Sequence, residues 1–224
     1  MTINSGAELS AGLSDVPVFI GSLVMFSAAL RCRNRSRVGK DWFDTCSAVP
    51  LTVLMGIIMH VFRIEEKSLR FLWPVVYFFI TLITGLFWIL ILEIFRPQGA
   101  DRKARTAILC AVAAVSIANA VQRLILGYDM TPLYSMFGIP AVLHCVWTVF
   151  RYRDSVNGAV MKRSALGVSF LLLSVIVEAM MRKPVTIAGL EFGGAFFAHV
   201  LIIAAMFVLT GVIRLTSAGE ESDE

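Results

Sequence analysis

Seven apolar stretches, separated by short polar segments, run along the chain. Most are close to the roughly 20 residues that a helix needs to cross a bilayer. They cover residues 16–30, 46–62, 71–95, 106–122, 132–150, 164–181 and 193–213. This pattern predicts an all-α membrane protein with seven spanning helices, which form a single domain over residues 1–217. An acidic tail follows at residues 218–224.

Composition supports a membrane protein over a soluble one. Hydrophobic residues make up 58% of the chain, and only 16% are charged, against roughly 25% in soluble domains. The mean hydropathy is +0.79. We therefore expect a multi-pass integral membrane protein, most simply in the cell membrane, with membrane lipids as its surroundings and partners.

The basic residues predict the orientation. Of the 20 Lys and Arg residues, 14 follow the first, third, fifth and seventh apolar stretches, and the other six lie on the opposite side. Because basic loops stay in the cytoplasm, the N-terminus is expected outside and the C-terminus inside. The net charge of +4 then reflects topology, and no nucleic-acid partner is expected. The four cysteines are not expected to form a disulfide.

All three histidines fall within apolar stretches, where polar side chains are costly and usually face the bundle interior. His60 is near the outer end of the second span, and His199 is near the outer end of the seventh. His144 belongs to the inner half of the bundle. Four further polar residues share the outer layer with His60 and His199: Asp15, Asn119, Gln122 and Glu178.

Two imidazoles and one carboxylate are enough to hold a divalent metal such as zinc. We therefore predict that His60, His199 and Glu178 converge as metal ligands. Asn119 and Gln122 are the candidate catalytic side chains, since an amide can stabilise an oxyanion.

A second interpretation needs no ligand, because intramembrane polar residues often join helices by hydrogen bonds. On this interpretation Glu178 pairs with Arg182, four residues further along the same helix. Glu93 is similarly expected to extend towards Arg96 at the inner interface. His144 is expected to join neighbouring helices by packing and hydrogen bonding.

Three segments resemble the alkaline ceramidase and adiponectin-receptor-like group of seven-helix membrane hydrolases. They are RFLWPVVY, SFLLLSVIVEAMMRK and AFFAHVLIIAAMFVL, which begin at residues 70, 169 and 195. The resemblance implies zinc and hydrolysis of a lipid amide or ester. His60 and His199 match two of the family's zinc ligands, whereas Gly56, Phe71 and Ala195 stand where the family has a serine, an aspartate and a further histidine.

Three functional hypotheses follow from these residues. The first is a metal-dependent hydrolase of a lipid substrate, which part of the zinc pattern supports. The second is a b-type haem protein with His60 and His199 as axial ligands. The third is a non-catalytic receptor, sensor or scaffold with the same seven-helix frame.

Overall fold

A computed structural model describes residues 6–126, 131–181, 183–188 and 190–218. Its eight α-helices and two strands are bounded as follows: α1 Gly6–Cys32, α2 Arg37–Ser47, α3 Val49–Val61, α4 Glu66–Phe95, α5 Arg102–Val121, α6 Thr131–Arg151, α7 Gly158–Met180, β1 Val185–Ile187, β2 Leu190–Phe192 and α8 Gly194–Ala218. A π-helical turn at Gln122–Leu126 continues α5, and a short 3₁₀ turn at Arg153–Ser155 follows α6.

Six helical segments of the described chain are long and apolar enough to cross a membrane. They are Glu8–Cys32, Arg37–Val61, Glu66–Phe95, Arg102–Ile125, Gly158–Glu178 and Gly194–Thr216. A seventh apolar helix, Met136–Arg151, is shorter. The prediction of an all-α protein with membrane-spanning helices is confirmed at this level.

The second span consists of two helices instead of one. α2 ends at Ser47 and α3 begins at Val49, with Pro50 in the first turn of α3. Proline is tolerated there because its missing N–H has no partner within the helix in any case. The break at Ala48 therefore agrees with the position of Pro50. The predicted stretch 46–62 corresponds to α3, and α2 precedes it.

α1 lies at the centre of the packing that positions the candidate site. It contacts α3 along one side and α8 along another, and α7 packs on α8. Gly12 permits the close approach to α3, since a Cβ at this position would lie 2.6 Å from a Val61 methyl group and 3.0 Å from the Val61 backbone nitrogen. The sequence predicted that the second, sixth and seventh apolar stretches lie side by side. In the structure α1 contacts both α3 and α8 and lies between them.

A two-stranded antiparallel hairpin joins α7 to α8, with Thr186 opposite Glu191 in its register. The turn contains Ala188 with a positive φ of 51°. β2 packs against α1 and α8. The hairpin was not predicted from the sequence, because each strand has only three residues.

Charged side chains join α2, α4 and α5 away from the histidines. Arg105 donates to both Asp41 carboxylate oxygens, at 3.0 and 2.5 Å, and to Glu93 at 2.9 Å. Arg37 lies 3.0 Å from the other Glu93 oxygen. The expectation that Glu93 extends towards Arg96 is therefore wrong, because α2 brings Arg37 and Asp41 to the Glu93 carboxylate.

Candidate functional site: an acid and histidine cluster

The histidine of α8 is held by two adjacent residues of α1. His199 Nδ1 lies 2.8 Å from the Ser14 hydroxyl and 3.3 Å from Asp15 Oδ1. The Ser14 hydroxyl donates to the Ala11 carbonyl at 2.7 Å. Because this hydroxyl has a single proton, Nδ1 of His199 is the donor to Ser14 and also faces the Asp15 carboxylate.

This arrangement differs from a serine protease triad. In such a triad, serine and aspartate bind opposite nitrogens of the imidazole, so that the ring can take a proton from the serine. Ser14 and Asp15 both contact Nδ1 of His199, and Ser14 directs its proton at a backbone carbonyl. Ser14 is therefore not placed as an activated nucleophile.

The histidine of α3 also binds a carboxylate of α1. His60 Nδ1 donates to Glu8 Oε2 at 2.7 Å, and the Glu8 side chain is 63% exposed while His60 is 19% exposed. The edge of the ring lies near Trp73 of α4, with ring centroids 6.0 Å apart. Both histidines are thus fixed through Nδ1 by carboxylates that α1 supplies.

Asp15 lies between the two histidine-bearing helices. Its residue is only 5% exposed, and Oδ2 has no hydrogen-bond partner among the described residues. A Cβ on Gly56 of α3 would lie 3.1 Å from this oxygen, so that glycine leaves just enough room for the carboxylate. Gly56 is one helical turn before His60 on α3, so the Asp15 carboxylate lies beside both histidine-bearing helices. Asp15 therefore belongs to the same electrostatic cluster as both imidazoles.

Glu178 of α7 has a more peripheral position than the sequence predicted. It lies near the C-terminal end of α7, which packs on the helix that carries His199, but the residue is exposed. Its expected alternative partner, Arg182, lies outside the described residues. The structure thus brings His60, His199 and Asp15 together through α1, with Glu178 at the edge.

The predicted zinc site has no geometric support from these positions. Among the residues that the structure describes, no three His, Cys, Asp or Glu side chains are grouped so as to hold a metal ion. A haem with His60 and His199 as axial ligands fits no better, since α1 packs between the helices that carry them. The metal ligands therefore remain a sequence prediction.

Asn119 and Gln122 are not brought to this cluster. α5 packs against α4 and α6, whereas the histidine cluster is on α1, α3 and α8. Asn119 is completely buried, and Gln122 begins the π-helical turn. A catalytic role next to His60 or His199 has no support from this placement.

His144 occupies a separate position in the bundle. Its Nδ1 accepts a hydrogen bond from the Trp88 indole at 2.9 Å, and the ring packs between Trp88 and Trp147. This position agrees with the expectation that His144 joins neighbouring helices, here α4 and α6, by packing and a hydrogen bond.

Sequence reasoning missed Glu8 and Ser14 and gave Asp15 a minor place. A signal was available, because Glu8, Gly12 and Asp15 recur at spacings of three and four residues and therefore share one face of a helix. The apolar run begins at residue 16, so hydropathy alone places this face outside the membrane.

Comparison of the chain with protein-family models, with curated proteins and with solved structures finds no match. The resemblance to membrane hydrolases accordingly rests on the sequence itself: the three similar segments, the pattern of apolar stretches and the positions of His60 and His199.

Proposed function

We propose that this chain is a seven-span integral membrane protein of the non-catalytic receptor, sensor or scaffold class, with its N-terminus outside. Met136–Arg151 serves as the additional span next to the six longer segments. The excess of basic residues after alternate spans supports the orientation.

In this proposal the acid and histidine cluster fixes α1 between α3 and α8. The observation that carries it is that His60 and His199 both direct Nδ1 to α1, at 2.7 Å from Glu8 and 2.8 Å from Ser14. Interhelical hydrogen bonds of this kind contribute about 0.6 to 2 kcal/mol each in membrane proteins. The cluster therefore serves to hold the frame together.

A metal-dependent hydrolase of a lipid amide or ester is the second candidate function. Metal-binding histidines usually donate their other ring N–H to a carboxylate or carbonyl, as His60 does to Glu8. His199 Nδ1 donates to the Ser14 hydroxyl and lies 3.3 Å from an Asp15 oxygen. Asp15 Oδ2, which has no hydrogen-bond partner among the described residues, is a further oxygen available to bind a metal. This candidate requires side chains to approach one another more closely than they do in the structure.

One experiment separates the two functions. The detergent-purified full chain is analysed for bound zinc and iron, and its hydrolysis of a ceramide and of a fluorescent acyl ester is measured. The frame proposal expects neither stoichiometric metal nor hydrolysis, while His199→Asn lowers thermal stability. Stoichiometric metal that is lost in both His60→Asn and His199→Asn, together with hydrolysis, would refute it in favour of the hydrolase. His144→Asn is the matched control, because this histidine lies outside the cluster.

A further inference from the structure

The buried face of α5 carries polar groups that the acid and histidine cluster does not use. Ser116, Asn119 and Arg123 are spaced by three and four residues, so they lie on one side of α5 and its π-helical end. Ile117, Val121 and Ile125 are exposed and form the apolar side of the same segment. The polar groups thus face the bundle while apolar residues face outwards.

These three residues present buried atoms without partners in the described part of the chain. The atoms are Ser116 Oγ, both amide atoms of Asn119 and Arg123 Nε. Asn119 is 0% exposed. Buried polar atoms in proteins are nearly always hydrogen-bonded, so this group indicates a ligand that supplies the missing partners.

The positive charge and the hydrogen-bond donors of these three residues favour an anion as the ligand. Arg123 carries a permanent positive charge, and the described residues place no carboxylate within ion-pair distance of it. Ser116 and Asn119 add hydroxyl and amide donors. A guanidinium with neighbouring donors suits an oxyanion that has several acceptor oxygens, such as phosphate.

The depth of the group agrees with a ligand from the membrane surface. Arg123 is two residues before Ile125, where the apolar segment ends. Ser116 and Asn119 lie one to two turns deeper in the span. A phosphate at the level of Arg123 therefore has deeper donors available on the same helix face.

We propose that Ser116, Asn119 and Arg123 form a binding site for a phosphate-bearing anion at the outer end of α5. Two sources share this chemistry, a phospholipid headgroup and free inorganic phosphate. The site does not involve the acid and histidine cluster, since it lies on α5, which packs against α4 and α6. Only its description as outer rests on the orientation in the proposed function.

Thermal unfolding of the full chain in a nonionic detergent, followed by tryptophan fluorescence, tests this site. One arm compares sodium phosphate with sodium chloride at equal ionic strength. The other compares a short-chain phosphatidylglycerol with the diacylglycerol of the same chains, which lacks the phosphate. Stabilisation by inorganic phosphate identifies the free anion, and stabilisation by the phospholipid alone identifies the headgroup. No stabilisation in either arm beyond its control overturns the proposal.

Two variants assign the effect to the named residues. Arg123→Gln should raise the half-saturating concentration of the stabilising probe at least about tenfold. Arg70→Gln is the matched control, since it removes the same charge from an exposed position on the outer side, and it should leave the response unchanged. An equal loss in both variants would indicate nonspecific attraction and overturn the site.

Asn119→Leu separates ligand binding from packing. If Asn119 is only a buried polar residue without a partner, leucine of similar volume should keep the response to the probe. The proposal expects Asn119→Leu to fold and to lose that response. A full response in this variant would remove Asn119 from the site and contradict the proposal.

Discussion

The indole nitrogen of Trp88 lies 2.9 Å from His144 Nδ1, and the hydrogen bond between them joins α4 to α6 inside the bundle. His144→Gln can keep an acceptor near the indole, so we expect a loss of about 1 kcal/mol in the free energy of unfolding. His144→Leu leaves the Trp88 donor without a partner and should cost about 2 kcal/mol. Unfolding by denaturing detergent measures both, and equal losses would show that the hydrogen bond contributes little.

Replacing Arg105 should lower the free energy of unfolding far more than replacing the exposed Arg70. It serves two carboxylates, and the side chains of Asp41 and Glu93 are only 10% and 8% exposed. Arg105→Met leaves both acids without this partner and is expected to cost about 3 kcal/mol. Arg70→Met removes an exposed pair with Glu66 and should cost less than about 0.5 kcal/mol. The comparison uses unfolding of the purified variants, and similar losses would contradict the assigned role of Arg105.

Gly12 should tolerate no larger residue. An added Cβ meets the Val61 backbone at 3.0 Å and His60 Cβ at 3.1 Å, so Gly12→Ala must separate α1 from α3. We expect a loss of about 1 to 3 kcal/mol. Gly158→Ala is the control, because among the described residues no atom outside the local helix lies within 4 Å of a Cβ there. Thermal unfolding of the two variants checks the difference, and an unchanged Gly12→Ala protein would contradict the close approach.

The proposed topology predicts the location of both termini. A reporter fused after Glu224 should be cytoplasmic, and one fused ahead of Met1 should be outside. Protease accessibility in intact and permeabilised cells distinguishes the two sides. Finding both termini on the same side would require an even number of spans and exclude Met136–Arg151 or another segment as a span.

Helical membrane segments were predictable from this sequence because apolar runs of the required length leave few alternatives. The neighbours of each helix were not, since a hydropathy pattern contains no information on which helices pack together. The position of α1 between α3 and α8 therefore had to come from the structure, and with it the pairing of Glu8 with His60. The ion pairs of Arg105 with Asp41 and Glu93 could not be predicted from the sequence for the same reason.

The candidate site was predictable only in part. Depth alone placed His60 and His199 in one layer, and both do belong to one cluster with Asp15. Depth does not specify the direction in which a side chain points around its helix. Asn119 and Gln122 were therefore predicted to join the histidines, although α5 packs against α4 and α6 instead. Glu178 was assigned as a central ligand, although it is exposed at the edge.

The contact of Ser14 and Asp15 with His199 joins the first helix to the last across 185 positions of the chain between Ser14 and His199. During synthesis α1 enters the membrane long before α8 exists. Until α8 arrives, Ser14 and Asp15 lack the imidazole that binds them. A chain terminated before residue 194 therefore lacks both the imidazole that faces Asp15 and the helix that packs along α1, so we expect α1 to be held less firmly in it.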